Sequence, residues 1–215
     1  MRPSRFKFER ECLAQGCSRV AGADEAGRGP LAGPVVAAVV CLPVDWILEG
    51  LPRKLQGLND SKQLTEDQRE RFFDFLVSSP LVSHAIAEVD SDVIDAVNIL
   101  QASLRAMNEA FLRLAPVPDH TLVDGPYIFS TRGRQTPLID GDARSFSIAA
   151  ASVLAKVTRD RLMAKFDGEY PGYGFREHKG YSTPQHLEAL SKLGPCRIHR
   201  KTFSPCRPPE PELFM

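Results

Sequence analysis

Net charge, long apolar runs and paired cysteines are all lacking in this chain of 215 residues. The formal net charge is zero, so overall charge indicates no anionic or cationic partner. The longest apolar run, at residues 35–42, is far shorter than the roughly 20 residues of a membrane-spanning helix. The N-terminal sequence MRPSRFKFER is charged, unlike the apolar core of a secretory signal. Together these absences predict a soluble cytoplasmic protein with no membrane partner.

The cysteines do not form a zinc-binding pattern. None belongs to a CxxC pair, no histidine stands at zinc-ligand spacing from them, and their number is odd. We therefore expect reduced and mostly structural thiols at Cys12, Cys17, Cys41, Cys196 and Cys206.

Charge is distributed unevenly although its sum is zero. Residues 1–155 carry 16 Lys and Arg against 20 Asp and Glu, whereas residues 156–207 carry 11 against 5. This second segment, here called the basic C-terminal third, also contains three of the five histidines. Such asymmetry is typical of a protein with an anionic partner on one face, although it also arises by chance on solvated helices.

Hydrophobic periodicity predicts strands interleaved with helices, which indicates an α/β domain with a helical C-terminal extension. The predicted strands cover residues 19–24, 35–42, 81–89, 120–124 and 136–140. The predicted helices cover residues 65–77, 92–114 and 144–166, and a further helix begins at Thr183-Pro184.

Four acids stand where these strands stop: Asp24, Glu25, Asp124 and Asp142. Strand ends present catalytic side chains well, because the sheet holds the backbone rigid while the loop leaves the side chain accessible. Clustered carboxylates repel one another unless a cation neutralises them, and an all-oxygen site suits Mg²⁺ or Mn²⁺. Two such ions would activate a water and stabilise the leaving oxygen of a phosphodiester. The alternative is that these acids are ordinary turn and cap residues.

Five sequence blocks, in order, resemble those of the ribonuclease HII family. The first is GADEAGRGPLAGPVVAA at residues 22–38, followed by LNDSKQL at 58–64 and VDGP at 123–126. The fourth is GDARSFSIAAASVLAKVTRDR at 141–161, and the last is KGYST at 179–183, with HRKTF after it at 199–203. Because they span roughly residues 19–205 in the family's order, the resemblance is specific.

The resemblance implies a ribonuclease-H-like fold, with a five-stranded mixed sheet flanked by helices. It divides the chain into a loosely ordered leader (1–18), a catalytic domain (19–168), a helical substrate-binding extension (169–205) and a flexible, proline-rich tail (206–215). It also implies an endonuclease that hydrolyses the RNA-containing strand of RNA/DNA hybrids and incises 5′ to single ribonucleotides in duplex DNA. Such an enzyme is expected to act as a monomer in DNA repair and replication.

The resemblance also assigns roles to individual residues. The four acids match the family's metal-binding and catalytic carboxylates. The segment Gly27, Arg28 and Gly29 matches the one whose backbone binds the ribose 2′-hydroxyl. Its glycines would let main-chain groups approach a sugar closely. Tyr181 matches the tyrosine that marks the RNA-to-DNA junction, its alternative being a core tyrosine. The residues that match the phosphate-contacting loop are Asn59, Ser61 and Lys62, although Lys62 could be an ordinary solvated lysine.

Two other functions remain open at this point. Another carboxylate-dependent nuclease of the same fold would share the acids but would not need the Gly-Arg-Gly and Lys-Gly-Tyr elements. A catalytically silent nucleic-acid-binding module would need the basic residues but not four acids. His199 is interpreted as a phosphate contact or a packed histidine, and the C-terminal Glu212-Leu-Phe-Met215 loosely resembles peptides that dock on a sliding clamp.

Overall fold

The computed structural model describes residues 5–131 and 133–207. Its strands are β1 (Val20–Ala26), β2 (Val35–Cys41), β3 (Ser83–Val89), β4 (His120–Asp124) and β5 (Arg134–Leu138). Its α-helices are α1 (Lys7–Ala14), α2 (Val44–Glu49), α3 (Glu66–Ser78), α4 (Ser91–Val97), α5 (Ile99–Arg113), α6 (Gly141–Arg144), α7 (Phe146–Glu169), α8 (Phe175–His178) and α9 (Pro184–Leu193). Short 3₁₀ turns cover Arg53–Leu55 and Ser61–Gln63.

The five strands form one mixed sheet in the order β3-β2-β1-β4-β5. Strands β1, β2 and β3 pair antiparallel, whereas β4 runs parallel to both β1 and β5. The expected five-stranded mixed sheet with flanking helices is therefore confirmed. Because β1 and β4 are parallel neighbours, their C-terminal ends lie side by side at one edge of the sheet.

Helices cover both faces of the sheet, and β2 is consequently buried along its whole length. Successive side chains of a strand point to opposite faces. Ala38 and Val40 accordingly pack in the cluster that contains residues of α7. Ala37 and Val39 pack in the cluster that contains residues of α5. This arrangement explains why the segment is a continuous apolar run rather than an alternating one.

Helix α7 lies unusually close to β1, as its Ser/Ala-rich beginning predicts. A Cβ added to Gly22 would lie 2.1 Å from the Ser147 carbonyl carbon, so glycine is required at this crossing. The close contact brings the end of β1 next to the second turn of α7, where Ser152 lies.

Two helices begin at the predicted capping residues. The Thr65 and Gln68 side chains form a reciprocal capping box at the start of α3. The Thr183 hydroxyl accepts a hydrogen bond from the His186 N–H, and proline occupies the first turn of α9.

The predicted helix over residues 92–114 is wrong in one respect, because it is two helices. Asn98 has φ 71°, which ends α4, and its side chain accepts a hydrogen bond from the Gln101 N–H at the start of α5. The two apolar faces lie nearly in register, so the break leaves no trace in the hydrophobic spacing. Similarly, the predicted helix over 144–166 is preceded by the separate turn α6, and β5 ends before Asp140, which is left-handed at φ 54°.

The expectation of a loosely ordered leader is wrong for residues 7–14, which form α1. The Glu9 side chain is fully buried and accepts hydrogen bonds from the Ser145 hydroxyl (2.6 Å) and the Ser147 N–H (3.1 Å). Phe6 packs edge-on against Phe146, with ring centroids 4.8 Å apart. Helix α1 is held in place because the Glu9 carboxylate accepts hydrogen bonds from the start of α7. These donors lie more than 130 residues away in sequence.

The C-terminal region contains the expected helix α9 and also the short helix α8, which the sequence did not predict. The expectation of a flexible tail from residue 206 onward is wrong for Cys206, which is buried in a cluster with Leu31 and Leu190. The remainder of the tail, residues 208–215, lies outside the described residues. Within the described part of the chain, no helix combines the length and the hydropathy that crossing a lipid bilayer requires.

Candidate active site

The four predicted acids meet at the edge of the sheet where β1 and β4 end. Asp24 and Glu25 are the fifth and sixth residues of β1, and Asp124 is the last residue of β4. The pairing of Ala23 with Val123 places Asp24 beside Asp124. Asp142 lies in α6, immediately after β5, and its charge acts on both Asp24 and Asp124.

Backbone hydrogen bonds fix the orientation of two of these carboxylates. The Glu25 N–H donates to Asp24 Oδ1 at 2.7 Å, and the Gly141 N–H donates to Asp124 Oδ1 at 2.7 Å. A Cβ on Gly141 would lie 2.6 Å from Ile148 Cδ1 and 3.1 Å from Asp124 Oδ1. The glycine before Asp142 is therefore needed for the turn to pass so close to Asp124.

The acids destabilise one another's charges in the absence of a cation. Burial raises the pKa of Asp24 well above its usual value, and the charges of Glu25 and Asp124 raise it further. Burial, together with the charges of Asp60 and Asp124, raises the pKa of Asp142 to about 6. Burial also raises the pKa of Glu25, while the Arg28 guanidinium, 3.2 Å away, opposes the shift. A divalent cation at this edge would relieve the repulsion.

The donor chemistry of the edge fits Mg²⁺ or Mn²⁺ rather than zinc. Its candidate ligands are all carboxylate oxygens, which these cations prefer. Across residues 5–131 and 133–207, no group of three or more His, Cys, Asp or Glu side chains is arranged so that it could hold a metal ion by itself. Magnesium sites commonly use only one or two protein carboxylates and complete their coordination with water and substrate phosphate. The open arrangement therefore suits a cation bound jointly with a nucleic acid.

A cavity of about 290 Å³ joins the acids to the other predicted site residues. It contains three of the acids, the predicted ribose-reading segment, two of the three predicted phosphate-contact residues and the predicted junction tyrosine. The lining residues are Asp24, Glu25, Ala26, Gly27, Arg28, Gly29, Ser61, Lys62, Asp124, Ser152, Lys156 and Tyr181.

The predicted phosphate-contacting loop is only partly directed at the cavity. The Lys62 side chain lines it, and although burial lowers its pKa, the surrounding carboxylates raise the pKa overall. The Ser61 hydroxyl lies 2.8 Å from the Ser152 hydroxyl and is buried. The Asn59 amide donates to the Gln63 side chain at 2.8 Å, outside the cavity lining. Lys62 is thus the predicted phosphate-contact residue that presents a positive charge to the site.

The Gly27–Gly29 segment is held from behind by Arg200, a residue that the sequence analysis did not single out. Arg200 is fully buried and donates to the carbonyls of Gly27 (2.6 Å), Arg28 (2.9 Å) and Gly33 (2.9 Å). Its hydrogen bonds hold these carbonyls away from the cavity. The main chain of the segment is thereby fixed before any substrate arrives.

Arg159 supports the same loop and was also missed. It is 1% exposed and donates to the carbonyls of Ala32 and Pro34, both at 3.0 Å. Gly27 has φ 100°, and a Cβ there would lie 2.1 Å from Arg159 Nε. The signal that could have identified Arg159 is its position four residues from both Ala155 and Met163, on the fully buried face of α7.

The two buried arginines correct the interpretation of the basic C-terminal third. Arg159 and Arg200 contribute to its excess of charge, but their guanidinium groups bind backbone carbonyls inside the protein. Other basic side chains in this segment pair with nearby acids, as Lys192 does with Glu188 and Arg161 with Glu70. Part of the asymmetry is therefore structural.

Tyr181 lies against the Gly27–Gly29 segment. Its side chain is 45% exposed, and its Cε1 would be 3.7 Å from a Cβ on Gly29. The tyrosine ring is thus exposed at the cavity wall beside Gly29, where it can contact a group that enters the cavity. This position excludes the alternative that Tyr181 is a core residue.

Comparison with known proteins decides the family. A family model described as Ribonuclease HII matches residues 21–206. The chain belongs to the ribonuclease HII family. As the resemblance in sequence predicts, it is a ribonuclease H, an endonuclease that degrades the RNA of RNA/DNA hybrids. Family membership argues against both another type of nuclease and a silent binding module.

Relatives match over most of their lengths. A ribonuclease HII of Ruminiclostridium cellulolyticum is 52% identical over 198 residues, which cover 92% of this chain and 74% of that protein. A ribonuclease HII of Endomicrobium trichonymphae is 49% identical over 201 residues, which cover 93% of this chain and 92% of that protein. Among solved structures, the ribonuclease H2 of Pyrococcus horikoshii superposes with a TM-score of 0.71 at 29% identity, covering 88% of this chain and 95% of that one.

Proposed function

We propose that this ribonuclease HII family member also incises duplex DNA on the 5′ side of a single embedded ribonucleotide, leaving a 3′-hydroxyl and a 5′-phosphate. The observation that carries the proposal is one cavity shared by the acids, the Gly27–Gly29 segment and Tyr181. Acids alone would suit any phosphodiester, whereas the other two elements suit a sugar that bears a hydroxyl. Such activity belongs to DNA repair and replication in the cytoplasm.

Asp24, Glu25, Asp124 and Asp142 are the residues that would hold divalent cations, Mg²⁺ or Mn²⁺, with two ions present once substrate is bound. Bound there, such ions supply Lewis-acid activation of water and neutralise charge on the phosphate. The chain itself orients Asp24 and Asp124 through backbone donors at 2.7 Å. Lys62 places an ammonium group among these carboxylates, where it can bind a non-bridging phosphate oxygen.

The Gly27–Gly29 backbone is proposed to bind the ribose 2′-hydroxyl. Arg200 occupies the carbonyls of Gly27 and Arg28 from inside the protein. Gly29 has no Cβ on the side of this segment that faces Tyr181 and the cavity, so a sugar can approach the main chain there. A site that pairs with a hydroxyl discriminates strongly against a substrate without one, because its own polar groups are then left unsatisfied.

Three matched duplexes test this proposal. One is DNA with a single ribonucleotide, one is an RNA/DNA hybrid and one is all DNA, each labelled at the 5′ end of the scissile strand. We expect cleavage of the first two and none of the third, with the single-ribonucleotide product ending in a 3′-hydroxyl that a polymerase can extend. Cutting 3′ to the ribonucleotide, or equal cutting of all-DNA duplex, would refute the proposal.

Substrate binding should weaken steeply with increasing salt if Lys62 and exposed Lys and Arg side chains of the basic C-terminal third contact phosphates. Each contact releases condensed counterions and adds about 0.9 to the slope of log K against log salt. We expect Lys62→Ala to reduce that slope by about one. Lys192→Ala, which removes an exposed lysine paired with Glu188, should leave the slope unchanged. Anisotropy titrations between about 50 and 200 mM salt measure both, and a flat wild-type response would contradict this docking surface.

A sliding clamp is the second partner that we propose. A ribonuclease HII of Archaeoglobus fulgidus was solved in complex with PCNA, and that structure superposes with a TM-score of 0.70 at 27% identity, covering 86% of this chain and 95% of that one. In this chain the candidate docking peptide is residues 212–215, which lie outside the described residues. We expect deletion of residues 208–215 to abolish binding to purified clamp while cleavage of a short duplex is retained. Equal binding by both forms, or none by either, would refute the peptide's role.

A further inference from the structure

Three buried histidines lie behind Tyr181, and the proposed function uses none of them. His178, His186 and His199 are 7%, 0% and 1% exposed. The rings of His178 and His186 stack with centroids 4.3 Å apart, and Phe175 packs edge-on against both. The burial of His199 excludes the expectation of a direct phosphate contact and confirms a packed histidine.

One backbone N–H fixes the direction of a hydrogen-bonded relay through two of these rings. The Cys196 N–H donates to His199 Nδ1 at 2.9 Å, so that nitrogen is an acceptor and the ring proton resides on Nε2. His199 Nε2 lies 3.0 Å from His186 Nε2, which must therefore accept. The proton of His186 then resides on Nδ1, which donates to the Tyr181 carbonyl at 2.9 Å.

The third histidine is oriented in the same way. The Gly180 N–H donates to His178 Nδ1 at 3.1 Å, so His178 Nε2 carries the proton and donates to the Tyr173 carbonyl at 2.8 Å. Each of the three rings is thus assigned one tautomer by the hydrogen bonds that it makes with the backbone or with its neighbour.

The relay requires uncharged rings. Protonating His199 at Nδ1 or His186 at Nε2 would replace an accepted hydrogen bond by a clash of two donors. Burial lowers the pKa of His199 to about 4 and also lowers the pKa of His186, so both rings are neutral near pH 7. Burial raises the pKa of the Cys196 thiol, which keeps a second donor, 3.1 Å from His199 Nδ1, in its protonated form.

The relay connects the two elements that are proposed to read the ribose. The Gly33 N–H donates to the Ile198 carbonyl, the Arg200 N–H donates to the Leu31 carbonyl, and Ala32 forms a β-bridge with His199. The same short segment therefore carries the guanidinium that holds Gly27 and the imidazole that leads to Tyr181. The Tyr181 carbonyl also accepts the Thr183 N–H at 2.8 Å, which closes the local turn but does not tie it to this segment.

We propose that Cys196, His199 and His186 form a neutral relay that positions Tyr181 relative to the Gly27–Gly29 segment and thereby sets the preference for a single ribonucleotide over continuous RNA. This inference rests on the proposed role of Tyr181. The histidines are positioning residues, because they act through the tyrosine and do not line the cavity.

Hydrogen bonds already join the residues before Tyr181 to the loop and its support, from the Leu31 N–H to the Gly180 carbonyl (2.8 Å) and from Arg159 to the Lys179 carbonyl (3.0 Å). Apolar side chains in place of the histidines would fill the same volume, but they would leave the Tyr181 carbonyl without a directional bond to the segment that carries His199 and Arg200.

The tautomers can be measured without any assay of activity. Long-range ¹H–¹⁵N spectra of the full-length protein at pH 7 should show the Nε2–H tautomer for His178 and His199 and the Nδ1–H tautomer for His186. An imidazolium at His186 or His199, or an Nε2–H tautomer for His186, would overturn the relay whatever the enzyme's substrate preference.

The functional measurement is the ratio of kcat/KM for a single-ribonucleotide duplex to kcat/KM for an RNA/DNA hybrid. His186→Leu removes the donor to Tyr181 and should lower this ratio about fivefold, the effect of one hydrogen bond. His186→Asn places an amide N–H near the position of Nδ1 and should restore the ratio to within about twofold of the wild type. His120→Asn is the matched control, since His120 is another largely buried histidine, at the opposite end of β4 from Asp124, and should leave the ratio unchanged.

A double-mutant cycle with Tyr181→Ala separates positioning from general damage. In that background His186→Leu should change the ratio no further, because the ring that the histidine positions is absent. If His186→Leu lowered the ratio equally with and without the Tyr181 ring, His186 would have only a structural role, and the inference would be overturned. An unchanged ratio for Tyr181→Ala by itself would instead refute the proposed role of the tyrosine and the positioning claim with it, while the tautomers would still be tested by the spectra.

Discussion

Asp24→Asn and Asp124→Asn should each reduce cleavage at least about a thousandfold while duplex binding remains near normal. Either change removes one carboxylate charge from a site that neutralises the phosphate, an effect typically worth several kcal/mol. Asparagine keeps Oδ1, which accepts the backbone N–H of Glu25 or of Gly141, so the local structure should persist. Single-turnover cleavage with Mg²⁺ and with Mn²⁺, beside anisotropy with the same duplex, measures the two effects.

Asp24→Asn should also raise the thermal stability of the protein when no metal is added. Burial and the neighbouring charges of Glu25 and Asp124 raise the pKa of Asp24, so its ionised form is destabilising in the folded protein at neutral pH. Removing the charge should therefore raise the melting temperature of Asp24→Asn, and added Mg²⁺ should stabilise the wild type more than the variant.

Asp140→Asn is the matched control for these variants. Asp140 is an exposed acid two residues before Asp142, and its left-handed φ of 54° suits asparagine equally well. Its removal should leave cleavage within about twofold of the wild type, as expected for a surface substitution. Near-normal turnover by Asp24→Asn or Asp124→Asn would contradict the metal-site assignment, whereas a large loss in Asp140→Asn would show that any lost charge is harmful.

Tyr181→Ala should lose roughly tenfold to a hundredfold of its activity on a single-ribonucleotide duplex with the fold intact. Stacking of an aromatic ring on a nucleotide is worth about 1–3 kcal/mol. The ring is 45% exposed, so its removal leaves little cavity in the protein. Rates on the single-ribonucleotide duplex and on the hybrid, with a thermal melt for each protein, provide the measurement.

Tyr181→Phe is the control that retains the ring. If the ring itself contacts the sugar at the junction, phenylalanine should keep most of the activity that alanine loses, and all-DNA duplex should remain uncut by every variant. Wild-type rates for Tyr181→Ala on the single-ribonucleotide duplex would refute the junction-reading role even if the metal site is correct.

The order of strands and helices was largely predictable because it depends on local pattern. The run that became β2 is apolar on both faces, and the capping residues of α3 and α9 are recognisable within one turn of each helix. The errors arose where one residue changed the backbone without changing the hydrophobic spacing. Asn98 divides α4 from α5, and no periodicity could show its positive φ.

The acids were predictable as candidates for a related reason. Strand ends can be recognised in sequence, and two neighbouring parallel strands present their C-terminal ends at the same edge. That Asp24 lies beside Asp124 required the sheet order, in which β1 and β4 are neighbours although about 100 residues separate them. The resemblance to a family implied a five-stranded mixed sheet, but neither it nor the pattern of apolar residues was used to predict the strand order, which the structure supplied.

The amino-acid sequence was sufficient to identify the family and to predict the four acids, the Gly27–Gly29 segment and Tyr181 as site residues, because each belongs to a short block of adjacent residues. Long-range contacts alone revealed what holds these groups in place. Glu9 caps α7, Arg159 and Arg200 bind carbonyls behind the Gly27–Gly29 segment, and His186 and His199 relay a hydrogen bond to Tyr181. A charged or polar side chain reads as a surface residue in sequence, since burial and direction depend on partners distant along the chain. Folding brings those partners together, and only then does a basic residue become an internal donor instead of a phosphate contact.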